Sequence, residues 1–173
     1  MKINNKVLLE MIGVLTVAAS LIFVGLQLML ERKVANAEQY FNRTESAKED
    51  RRTYLLSPVY FQEIEEWWAT GERPPYWNED WELAKQLDKG EYTVATIHHR
   101  AVELQLSILG YDNIYFQYRQ GLIDEETWQH FREQIKRSMT RDPELTSAIY
   151  LNNARATLLP VIQKIRNEID AER

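Results

Sequence analysis

Three histidines are the side chains here best suited to proton transfer or metal ligation near neutral pH. His98 and His99 are neighbours in a helix-forming stretch, so their rings diverge by about 100° and do not readily share one metal. His99 has Glu103 one turn on, and His130 lies between Glu126 and Glu133. Such pairs can ligate a metal, but they are also the common solvent-side pairs of any helix. His98 lies beside an apolar stripe, near Ala95 and Val102, and is expected to be a partly buried histidine with a local hydrogen bond.

A di-iron bundle needs Glu-x-x-His on two helices, and the residues three before these histidines are Ala95, Thr96 and Thr127. The sequence contains no H-E-x-x-H, G-x-S-x-G, G-x-x-x-x-G-K-[ST] or G-x-G-x-x-G pattern. Glu63, Glu65 and Glu66 crowd a short helical segment and read as a solvated face. The absence of cysteine removes disulfides, thiolate metal sites and cysteine nucleophiles together. No residue is assigned to catalysis or to a metal, and no cofactor is expected. The chain reads as a binding protein rather than an enzyme, with a metal-dependent enzyme using His98 or His99 as a remote alternative.

The aromatic run "WWATGERPPYWNEDW" is more informative, since it places Trp67, Trp68, Tyr76, Trp77 and Trp81 within fifteen residues. These rings either seal the end of a helical core or form a patch that docks on a partner or on lipid headgroups. They are the candidate partner-binding residues.

The element that decides location precedes all of these. "MIGVLTVAASLIFVGLQLML", residues 11–30, has no formal charge, and at 1.5 Å per residue it spans about 30 Å, the thickness of a bilayer's hydrocarbon core. A secretory signal has an apolar region of about 7–15 residues and a small-residue cleavage site. Ala35-Asn36-Ala37 offers such a site, but Glu31, Arg32 and Lys33 separate it from the apolar run. A soluble core helix would not be apolar on every face. The reading is an uncleaved anchor. Gly13, Ala18, Ala19, Ser20 and Gly25 supply a loose small-residue surface for packing within the membrane, without a G-x-x-x-G pair. Lys6 and Glu10, one turn apart, read as an interfacial ion pair.

Only Lys2, Lys6 and Glu10 are charged in the first thirty residues, which leaves 19 of the 21 basic and 25 of the 26 acidic side chains, a formal −6, on the other 143. An acidic body argues against nucleic acid, whose phosphates select a basic stripe. Lys2, Lys6 and the terminal amine before the apolar run nearly balance Arg32, Lys33, Arg43 and Lys48 after it. The position of Arg32 and Lys33 at the boundary leans towards a body on the cytoplasmic side.

The rest reads as helix. Residues 26–57 contain no glycine or proline, so the apolar helix is expected to continue with a thin stripe of Val34, Ala37, Tyr40, Phe41, Thr44, Ala47, Tyr54 and Leu55. That stripe would pack on the rest of the chain or on another copy. Ser57, Pro58 and Gly71 bracket a short helix, "ERPPYW" an extended connector, and Asn78 and Gly90 a further helix. Val94, Ile97, Ala101, Leu104, Ile108, Tyr111, Tyr115 and Tyr118 form a heptad stripe, widened by Val102, Leu106, Leu109 and Phe116. Gly110 marks a bend or a close neighbour. Asp124 caps a helix with Trp128, Phe131, Ile135 and Met139 inward, and Asp142-Pro143 opens another. A last helix carries Leu158, Ile162, Ile165 and Ile169, with Pro160 at its start or at a kink. The expected architecture is all-α: tail and anchor over 1–30, a juxtamembrane stalk over 31–57, and a bundle over 58–173, with five or six helices beyond the anchor.

With "SLIFVGLQL" at 20–28, a charged helix after it, and "GYDNIYFQYRQGLIDEETW" at 110–128, the chain resembles a loose group of uncharacterised bacterial single-pass membrane proteins with an N-terminal anchor and a helical domain. The resemblance implies that architecture and a bacterial inner-membrane location; it carries no activity or cofactor. The functional expectation is a membrane-anchored accessory, scaffold or assembly subunit whose partners are the lipid bilayer and other membrane-protein subunits or copies of itself. The alternative is a membrane-tethered sensor holding a small molecule between helices, with Tyr111, Tyr115, Tyr118 and the histidines lining the pocket.

Overall fold

The computed structural model describes residues 5–55, 57–72 and 93–172, together with Glu82 and Gln86. Among them are six helices and no strand: α1 (Asn5–Leu55), α2 (Pro58–Thr70), α3 (Val94–Arg119), α4 (Glu125–Arg141), α5 (Leu145–Asn153) and α6 (Leu159–Ala171). The all-α architecture is thus the one expected. The connector at 73–77 lies outside the described residues, as does the helix expected between Asn78 and Gly90 apart from Glu82 and Gln86, both of which are helical.

Local chemistry sets the ends of these helices. Pro58 occupies the first turn of α2, where its missing N–H costs nothing, and Gly71 closes it at φ +79° with its N–H on the Trp67 carbonyl at 2.7 Å. Ser57 holds the N-cap position in extended conformation, yet its side chain makes no capping bond. Thr93 caps α3 by accepting the Thr96 N–H, a cap that the sequence reading passed over. Asp124 caps α4 as expected, accepting the Thr127 N–H at 2.8 Å. Asp142 accepts from Leu145 N–H at 3.2 Å, so regular α5 begins two residues beyond Pro143. Pro160 lies in the first turn of α6 and starts that helix rather than kinking it.

The chain divides into two compact units, Met1–Gln39 and Tyr40–Arg173. In the first, α1 is long and apolar enough to cross a membrane, and every side chain described from Leu8 to Asn36 is exposed. Its hydroxyls turn inward on the helix itself: Thr16 donates to the Ile12 carbonyl at 2.9 Å and Ser20 to the Thr16 carbonyl at 2.8 Å.

The second unit has its own core, organised by α3. Ile97, Ala101, Leu104 and Ile108 of the heptad stripe are buried, while Val94, Tyr111, Tyr115 and Tyr118 pack on the core's margin. α3 meets α2, α4 and α5, and α6 closes the bundle against α4 and α5. Tyr60, Ile64 and Trp67 come from one face of α2, and Trp128, Ile135 and Met139 from α4. Ile149 and Tyr150 come from α5, and Ile162, Ile165 and Ile169 from α6. Gly110 is a point of close approach: a Cβ there would lie 3.6 Å from the Lys48 ammonium.

A charged tie joins α4 to α6. Arg132, whose side chain is 16% exposed, donates to both Glu168 oxygens at 2.5 and 2.6 Å. This hydrogen bond holds the Glu168 carboxyl below its ordinary range. A depressed carboxyl stabilises the fold above its unfolded-state value and ceases to do so as pH falls through the folded one. Arg132→Ala is therefore expected to lower stability by about 1–2 kcal/mol at pH 7 and to flatten the acid limb of stability against pH. Urea midpoints from pH 3 to 7 would check both, and an unchanged acid limb would refute the assignment.

Candidate functional site

On the apolar part of α1, the candidate packing residues Gly13, Ala18, Ala19, Ser20 and Gly25 are all exposed. A Cβ built at Gly13 or Gly25 would meet nothing within 4 Å. Around them Leu21, Ile22 and Phe23 are 68%, 66% and 61% exposed. A continuous exposed apolar surface of this kind on a soluble body would mark an interaction site.

The aromatic candidates separate. Trp67 is 4% exposed and belongs to the core with Tyr60 and Ile64, while Trp68 is half-buried at the core's edge. The two rings meet edge to face, centroids 5.8 Å apart. Tyr76, Trp77 and Trp81 lie outside the described residues. For Trp67, burial fits the sealing role.

The histidines are not brought together. His98 is buried between Tyr60 and Phe61, with centroids at 5.9 and 6.0 Å. His99 pairs with Glu103 at 3.2 Å on the exposed face, and His130 shares a 2.8 Å hydrogen bond with Gln134. Among the described residues no group of three or more His, Asp or Glu side chains is placed to hold a metal. The tyrosines suggested as a pocket lining are occupied by other rings. Tyr115 and Tyr118 lie 4.8 and 5.5 Å from Trp128, and Tyr111 lies 6.2 Å from Tyr150. Burial, followed by the neighbouring Tyr150, pushes the Tyr111 hydroxyl up to about 12.

The most distinctive polar site is one that the sequence reading missed. Asp112, on α3, is 2% exposed. The Tyr40 hydroxyl donates to its Oδ2 at 2.5 Å, and Arg155 Nη1, from the α5–α6 connection, lies 3.3 Å from the same oxygen. The Arg155 guanidinium also covers the Tyr40 ring at 4.7 Å, and that ring stacks on Phe116 at 4.0 Å with 2° between the planes. Oδ1 of Asp112 is buried and has no hydrogen-bond partner among the described residues. Burial pushes the Asp112 carboxyl up, and the Tyr40 hydrogen bond and the Arg155 charge only partly oppose this. Tyr40 is also pushed up, by its own burial and then by its bond to Asp112. The trio contains no activated nucleophile. Its chemistry is cohesive: a buried carboxyl joins α1, α3 and the α5–α6 connection.

The chain matches no family model, no curated protein and no solved structure. Asp112 was hard to see because its partners are 72 and 43 positions away and no local motif links them. One signal was available: Asp112 and Asn113 interrupt an otherwise apolar and aromatic stretch between Leu109 and Phe116, on a helix already expected to be largely buried.

Proposed function

We propose that this chain is a single-pass membrane protein whose apolar α1 segment anchors an acidic helical bundle, and that the bundle serves as an accessory, scaffold or assembly subunit of a larger membrane complex. The observation that carries this reading is the apolar surface of α1, exposed on all sides, with Thr16 and Ser20 bonded back to their own helix. In hydrocarbon every polar group needs an internal partner, and these two hydroxyls have theirs. The small residues Gly13, Ala18, Ala19, Ser20 and Gly25 suit close approach of a second membrane helix. A body with a formal charge of −6 and no recognisable catalytic pattern favours binding over turnover. The location proposed is a bacterial inner membrane, as the resemblance implies, with the body on the cytoplasmic side because Arg32 and Lys33 abut the apolar run.

The test is a pull-down from native membranes in mild detergent through a carboxy-terminal tag, with the mass of the intact assembly measured. Recovery in fixed ratio with other membrane subunits is the expected result. Recovery as a lone monomer would overturn the accessory role.

A further inference from the structure

The contacts that hold residues 40–55 of α1 on α3 differ in kind from those inside the bundle. The hydrophobic core draws residues from α2 to α6 and, among the described residues, none from α1. Along α1 the seam joins one ring stack, Tyr40 on Phe116, to a run of polar groups. Tyr40 reaches Asp112, and buried Thr44 donates to the Tyr40 carbonyl. Lys48 pairs with Glu45 beside Gly110, and Arg51 donates to the buried Gln105 at 3.3 Å. A seam with no aliphatic cluster among its described residues can part while the core stays intact, as in the sub-global openings seen by hydrogen exchange.

We propose that residues 40–55 of α1 are a detachable arm, latched onto α3 by the contact of Tyr40 and Arg155 with Asp112. The latch is conditional because it confines a carboxylate in a site that solvates it poorly. Oδ2 receives one hydroxyl and a guanidinium that is itself 39% exposed, and Oδ1 receives nothing from the described residues. Opening returns Asp112 to water and uncovers the Phe116 ring on which Tyr40 stacks.

The direction of the pH effect follows from linkage. The groups acting on Asp112 are Tyr40 from α1 and Arg155 from the α5–α6 connection; Lys48 and Glu45 lie further along the same seam. The closed latch holds the Asp112 proton more tightly than the open one does, since its carboxyl is raised when closed. Closure is thus favoured in acid and weakens as pH rises from the ordinary carboxylate value through the raised one. Tyr40, also raised, adds a second loss only in strongly alkaline solution.

The experiment is hydrogen exchange with mass spectrometry on the full chain in mild detergent, corrected for intrinsic rates, at pH 4 and pH 7. In the unmodified protein the 40–55 peptides are expected to lose protection between pH 4 and pH 7, while those of α4 and α6 do not. Asp112→Ala is expected to speed exchange of 40–55 by roughly tenfold and leave α4 and α6 within about twofold. Asp112→Asn, which keeps an acceptor for Tyr40 without the charge, is expected to abolish the pH dependence. If Asp112→Ala loosens every helix together, or none, the arm is not separable and the proposal fails. If the pH dependence survives in Asp112→Asn, Asp112 is not the latch.

Discussion

Trp67→Ala is expected to destabilise the bundle by about 3–5 kcal/mol, the range for removing a large buried aromatic ring. Trp67 is 4% exposed and lies on the same face of α2 as Tyr60 and Ile64, the face by which α2 joins the core. Truncation would open a cavity at the point where a thirteen-residue helix has few other anchors, so the surroundings could fill it only by shifting α2 itself. Domains of this size have about 5–15 kcal/mol of stability in total, so one substitution would remove a large share. Trp68→Ala provides the contrast. Its ring is partly buried at the core's edge and meets Trp67 edge to face, for an expected loss of about 0.5–1.5 kcal/mol. Urea unfolding of both variants, followed by circular dichroism, would measure the difference. The pair also separates folding from docking: Trp68→Ala should keep the bundle folded, so a companion lost from its pull-down would be lost through the surface. Equal midpoints for the two variants would show that Trp67 is not the core residue described.

What could be read without coordinates follows from how locally each feature is encoded. The heptad stripe of α3 was legible because burial on one helix face repeats every three or four residues. Asp124 and Gly71 were legible because caps act within one turn. The thin stripe on α1 was visible only in part: Thr44 is buried and Tyr40 reaches Asp112, whereas Val34 and Phe41 are exposed. The Asp112 trio was not legible. Its members come from three segments far apart in the chain, and a single aspartate beside a tyrosine has no period or spacing of its own. Burial alone makes it unusual, and burial is a property of the assembled bundle. The aromatic run had the opposite weakness, since five clustered rings are easy to see while which of them face inward depends on packing. Trp67 and Trp68, adjacent in sequence, ended with different surroundings.

Paired arginines in the middle of the apolar run, Leu21→Arg with Ile22→Arg, are expected to abolish membrane association. Residues 11–30 contain eleven Leu, Ile, Phe and Val side chains, each favouring insertion by about 0.3–0.6 kcal/mol at most, whereas each central arginine opposes it by about 2.5–3.5 kcal/mol. At mid-range, two arginines oppose insertion by about 6 kcal/mol against about 4 kcal/mol from the nine apolar side chains that remain, whereas one arginine would be outweighed by the remaining ten. Membranes washed with alkaline carbonate should retain the unmodified chain and a Leu21→Val, Ile22→Leu control but release the double arginine variant. The same variant discriminates against a core role for this helix. Leu21 and Ile22 are exposed and belong to the first compact unit, so a released body should keep its helical signal and its unfolding midpoint. Loss of the fold together with loss of the membrane would mean that the run packs inside a soluble assembly, and retention of the arginine variant in washed membranes would mean that something other than this run holds the chain there.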